Sequence, residues 1–99
     1  MYGIKKEIFN DIIGVFKKFD SIEKVYLFGS RARGDFKDTS DIDLAIDSKS
    51  DVVLKLLGEL EELICILTFD VVNINEIGQK LKDNIERDKI IIYEKWDGS

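Results

Sequence analysis

The chain has no histidine and no proline, and it has a single cysteine among 99 residues. Each absence removes a class of chemistry. Without histidine there is no imidazole general base and no histidine metal ligand. One thiol, Cys65, forms no internal disulfide and builds no zinc cage, and it suits a reducing cytoplasm. As an isolated cysteine it reads as a small buried hydrophobe rather than a reactive thiol. No stretch reaches the roughly 20 apolar residues of a membrane span, and the opening Met1–Lys6 has no apolar run of signal-peptide length. A soluble, cytoplasmic protein is expected. Positive charge is also in the minority: the net charge of −5 repels phosphate backbones, so extended nucleic-acid binding is not expected. Any phosphate site must be made locally, against the global field.

What is present is a regular alternation of apolar segments without linker, repeat or low-complexity block, enough for one domain over residues 1–99. Ile4, Ile8, Ile12, Val15, Phe16 and Phe19 recur at helical spacing and predict a helix over about Ile4 to Phe19. Lys17 and Lys18 lie off that stripe, as a solvated face. Val25–Phe28 is a short apolar run stopped by Gly29, a buried strand. A loop with two glycines leads to Asp41–Ile46, which alternates strictly as a half-buried strand does. A second amphipathic helix covers about Asp51 to Ile64, and Leu67–Val72 reads as a third strand. Asn75 is placed as the N-cap of a last helix carrying Ile77, Leu81 and Ile85, and Ile90–Tyr93 closes as a strand. This order predicts an α/β (α+β) domain, one sheet with helices packed on it. Tyr93 and Trp96 either cover the core or contact a partner.

The chemistry concentrates in Phe28-Gly29-Ser30-Arg31-Ala32-Arg33-Gly34 and Ser40-Asp41-Ile42-Asp43. On a strand, residues i and i+2 share a face about 6.5–7 Å apart, so Asp41 and Asp43 point one way while Ile42, Leu44 and Ile46 face the core. Two anions on one face invite a hard cation such as Mg²⁺. Asp70, between Phe69 and Val71, is the candidate third carboxylate from a neighbouring strand. Gly29, directly after a strand, lets the backbone approach a ligand, and Ser30 supplies a hydroxyl and an N–H. A short helix starting near Ser30 would add free N–H groups. Arg31 and Arg33 bring positive charge to the same loop and suit phosphate. Ser40 caps the turn before the strand, and Asp35, Asp38 and Asp47 read as solvent-facing. Phosphate-binding elements and carboxylates thus meet at the ends of two successive strands, the equipment for phosphoryl or nucleotidyl transfer.

Gly29-Ser30, ten intervening residues and then Asp41-Ile42-Asp43 resemble the signature of the polymerase-beta-like nucleotidyltransferase superfamily. The fuller string, Gly29 to Gly34 with Ser40 before the first aspartate, resembles its minimal branch (MNT), antitoxins paired with small helical HEPN toxins. The resemblance implies a mixed four-stranded sheet flanked by helices, with Asp41 and Asp43 as ligands of two Mg²⁺ ions. It implies Asp70 as third ligand and as aid in deprotonating the acceptor, with Gly29 and Ser30 on the β,γ-phosphates. It implies ATP as donor, AMP as the group moved and a tyrosine of a HEPN-type toxin as acceptor. The alternatives are an antitoxin that acts by binding alone and transfer to a small-molecule hydroxyl. The latter ranks lowest, because no further domain encloses such a substrate.

Overall fold

The computed structural model describes residues 1–95. Its elements are α1 (Lys6–Phe16), β1 (Ile22–Phe28), α2 (Ser30–Arg33), β2 (Ile42–Ser48), α3 (Val53–Leu63), β3 (Phe69–Asn73), α4 (Gln79–Asp88) and β4 (Ile90–Glu94). The strands form one sheet in the order β3-β2-β1-β4. β1 runs antiparallel to both β2 and β4, and β2 and β3 run parallel. A parallel pair needs a long crossover, and α3 is that crossover.

The two sheet faces are covered separately, and strand parity sorts the residues between them. Val25, Leu27, Ile42, Leu44, Ile46 and Val71 pack with Ile12, Val15 and Phe16 of α1 and Leu56 and Leu60 of α3. Phe28, Ala45 and Ile85 form a second cluster with Tyr26, Val72, Ile77 and Leu81 beneath α4. Each fully buried Leu, Ile or Phe of the larger cluster contributes roughly 1.5–3 kcal/mol, so that cluster dominates stability. β2 is buried on both faces along most of its length, as expected for a central strand. Asp43 lies on the face of Ala45, toward α4.

The elements match the expected order, with differences at their ends. α1 stops at Phe16, and Lys18 and Phe19 continue in tight i→i−3 turns whose amides bond Val15 O and Phe16 O. α4 starts at Gln79 after Gly78, so Asn75 is not its N-cap. Asn75 is committed elsewhere: its N–H donates to Asn73 Oδ1 in an Asx turn, and its Nδ2 donates to Asp47 Oδ1 and Ser48 O. Tyr93 packs against the Phe16 ring at 5.6 Å, so it covers the core, and the burial there pushes its phenol pKa up. Trp96 lies outside the described residues. Cys65 is exposed, contrary to its reading as a buried residue. It falls in the loop between α3 and β3, where Ile64, not Cys65, turns into the core.

Candidate functional site

The site is built on one cross-strand row at the end of the sheet. Phe28 pairs with Asp43, and Asp43 pairs with Asp70. Adjacent strands lie about 4.8 Å apart, so Asp43 and Asp70 stand side by side on the α4 face. Asp70 is exposed, while its neighbour Val71 turns into the core. That is the orientation its place in an apolar strand predicts. Asp41 sits one residue before β2. Its Oδ1 accepts a hydrogen bond from the Thr68 hydroxyl, and the next amide, of Ile42, donates to Thr68 O at 2.9 Å.

These carboxylates repel one another. The Asp43 carboxyl is pushed from its ordinary 3.8 up to about 6, first by burial, then by the charges of Asp70 and Asp41. Arg33 opposes the shift in part.

Gly29 follows Phe28 and closes on Asp43 from the other side. Its φ of 76° and ψ of −157° fall where side-chain-bearing residues are rarely found. A Cβ built there would run into Asp43 Oδ2 and lie 3.0 Å from Asp43 Cγ. The glycine is therefore required twice, by conformation and by space. One turn of helix, α2, begins at Ser30, and the amides of Arg33 and Gly34 return to Gly29 O and Ser30 O at 3.1 and 2.9 Å. The amides of the first turn have no intrahelical acceptor, and they lie beside the carboxylate row.

The two arginines part company. Arg31 is 2% exposed, and it is not a phosphate ligand in this arrangement. Its Nε and Nη2 donate to Ser40 O at 3.2 and 2.9 Å, Nη2 also reaches Asp38 O at 3.3 Å, and Nη1 reaches Tyr2 O at 3.1 Å. The guanidinium also stacks on Phe36. Arg33 stays half exposed. It bonds Asp88 Oδ2 at 3.0 Å and Asp35 Oδ2 at 3.3 Å, tying α2 to the end of α4. Ser40 caps its turn as expected, accepting from Lys37 N at 2.8 Å.

Thr68 and Asp88 escape sequence reasoning. Thr68 touches Asp41 across 27 positions and Asp88 meets Arg33 across 55, and neither separation leaves a local signal.

Among the described residues no three acidic side chains already form a metal cage. Asp41 is turned toward Thr68, and Asp43 and Asp70 adjoin. Mg²⁺ does not require an all-protein cage, because it takes one or two carboxylates and completes its shell with water and substrate phosphate. The donor set is all oxygen, dense in negative charge and flanked by free amides, and it fits such an ion and its phosphates.

A sheet of this order, with a glycine turn and paired aspartates on its end row, defines a nucleotidyltransferase architecture. The polymerase beta nucleotidyltransferase model matches residues 10–97. A protein of Methanocaldococcus jannaschii, provisionally named a protein adenylyltransferase, is 35% identical over 91 residues, covering 88% of this chain and 93% of its own. The chain belongs to the polymerase beta nucleotidyltransferase family. Two solved structures share its fold. A toxin–antitoxin structure with AMP-PNP superposes with a TM-score of 0.75 at 21% identity, over 88% of this chain and 73% of that one. A complex of a tri-AMPylated HEPN toxin of Shewanella oneidensis with an MNT antitoxin superposes with a TM-score of 0.70 at 18% identity, over 93% and 74%.

Proposed function

We propose that this chain is a Mg²⁺-dependent minimal nucleotidyltransferase that moves AMP from ATP onto a tyrosine hydroxyl of a HEPN-type partner, and so acts as its antitoxin. The observation that carries the reading is the row of Asp43 and Asp70 closed by Gly29, with Asp41 at the head of the same strand. The AMP-PNP in one structural neighbour and the AMPylated toxin in another support the donor and the acceptor. The family and the M. jannaschii relative support the reaction class. The lone thiol suits a cytoplasmic location.

Asp41 and Asp43 would hold two Mg²⁺ ions, and Asp70 one of them. When bound, the ions neutralise the triphosphate and its pyrophosphate leaving group and make the acceptor hydroxyl more acidic. The residues of the chain do the rest. The Ser30 hydroxyl and the amides that follow Gly29 hold the β- and γ-phosphates. Arg33 adds positive charge at the outer side of the turn. Asp70, the exposed end of the row, receives the acceptor proton. The acceptor oxygen forms its bond to the α-phosphorus. The bond from that phosphorus to the oxygen bridging toward the β-phosphate breaks, and pyrophosphate leaves.

The test is the intact mass of the partner after co-expression. With the wild-type chain the partner gains the mass of one or more AMP groups. With an Asp41→Ala, Asp43→Ala double variant it gains none. An unmodified partner in both cases that is nevertheless neutralised would replace this reading with inhibition by binding alone.

A further inference from the structure

Arg31 is a buried cation without a carboxylate partner among the described ion pairs. Its charge is met entirely by main-chain oxygens, which is unusual for a side chain 2% exposed. The three oxygens come from two places. Asp38 O and Ser40 O belong to the loop that delivers Asp41, and Tyr2 O belongs to the segment before α1.

That segment is shaped to reach the arginine. Tyr2 has a φ of 55°, in the left-handed region that a residue with a Cβ rarely enters, and Gly3 follows at 78°. A Cβ on Gly3 would strike the Phe36 ring and lie 2.8 Å from Arg31 Nη1. Phe36 in turn stacks on the guanidinium, its centroid 5.3 Å from Cζ. Segment, arginine, ring and loop are thus packed into one clamp.

The loop end of the clamp matters most. Ser40 O, which accepts two of the arginine's bonds, is the carbonyl of the peptide that leads into Asp41. On the other side Asp41 is met by Thr68. Asp41 is therefore held on both flanks, its preceding carbonyl by Arg31 and its carboxylate by Thr68, although it lies one residue outside β2.

We propose that Arg31 is a positioning residue, a main-chain clamp that sets Asp41 for metal and nucleotide, and that the Tyr2–Gly3 segment is its second anchor. This rests on the assignment of Asp41 to the transfer site. Lysine does not replace the clamp, because a single ammonium lacks the planar fork that spans three carbonyls.

The test uses the full chain in Arg31→Lys, Arg31→Met and Gly3→Ala forms, with amide hydrogen exchange and labelled-ATP transfer to the partner read in parallel. Transfer is measured well below each variant's melting temperature. The Lys37 and Ser40 amides, bonded within the loop at 2.8 and 2.9 Å, exchange faster in all three, while the amides of β1 and β2 keep their protection. Transfer by Arg31→Lys falls on the order of tenfold to a hundredfold while the protein stays folded, and Mg²⁺ affinity, followed by titration of the nucleotide-free protein, weakens. Wild-type transfer and unchanged loop exchange in Arg31→Lys would overturn the proposal. So would exchange that accelerates equally across the sheet, the mark of a merely structural arginine. If the wild-type chain transfers no AMP, the transfer reading fails, and the exchange and Mg²⁺ arms still decide the clamp.

Discussion

Asp43 carries two opposed requirements in one carboxyl group. In the proposed transfer site it must be ionised to hold a cation, yet burial and two neighbouring anions favour its protonated form. Because its folded pKa of about 6 lies above the ordinary 3.8, its contribution to stability is present below about pH 4 and is lost as pH rises through 6. Asp43→Asn removes the charge and keeps the shape. We expect it to stabilise the fold by about 1 kcal/mol near pH 8, well under the full linkage value because the group is partly solvated, and to do little near pH 4. Urea melts at the two pH values check this. The same variant loses AMP transfer, so stability and activity move in opposite directions, as expected where charge is held in place for function. Gly29→Ala acts differently. Its Cβ must displace Asp43 and its φ is strained, so a loss of about 1–3 kcal/mol is expected in a thermal melt, together with loss of ATP binding.

At the scale of elements, α2 is one turn long and needs external support. Arg33 supplies it through Asp88, whose side chain is 8% exposed at the end of α4 and whose carboxyl is held below its usual range chiefly by Arg87, with Arg33 also contributing. Asp88→Asn should raise the KM for ATP several-fold with a smaller change in kcat, and added salt should narrow the gap between wild type and variant. Steady-state transfer at two ionic strengths is the measurement.

How much the sequence discloses also divides at this scale. Strand parity alone puts Asp43 opposite Ile42 and Leu44, and the apolar flanks of Asp70 place it outward, because period-2 alternation is a local property. Asn75 misleads because cap chemistry is shared by Asx turns. Asn73, two residues earlier, offers the competing acceptor that holds it. Arg31 misleads for a related reason: arginines in a glycine loop suit phosphate, and only the folded loop shows that main-chain oxygens reach this one first. The ends of α1 and α4 are the least readable, since they depend on where the sheet lets each helix begin.

At the scale of the whole molecule, the charge of −5 surrounds a site that must attract a triphosphate. On the proposed reading the attraction is local, supplied by α2 and by bound Mg²⁺, rather than by the net-negative surface. The chain should therefore leave duplex DNA unshifted in a gel assay at low salt, where a basic surface would retain it. Among the described residues no helix is long and apolar enough to cross a membrane.

The most direct test compares two labels on the same donor. ATP labelled at the α-phosphate and ATP labelled at the γ-phosphate are each incubated with the chain, its partner and Mg²⁺. Nucleotidyl transfer by this site predicts that only the α-label becomes protein-bound, that chelation of Mg²⁺ abolishes it, and that Asp43→Asn does the same. Incorporation of the γ-label, or α-label transfer unchanged in Asp43→Asn, would contradict the account.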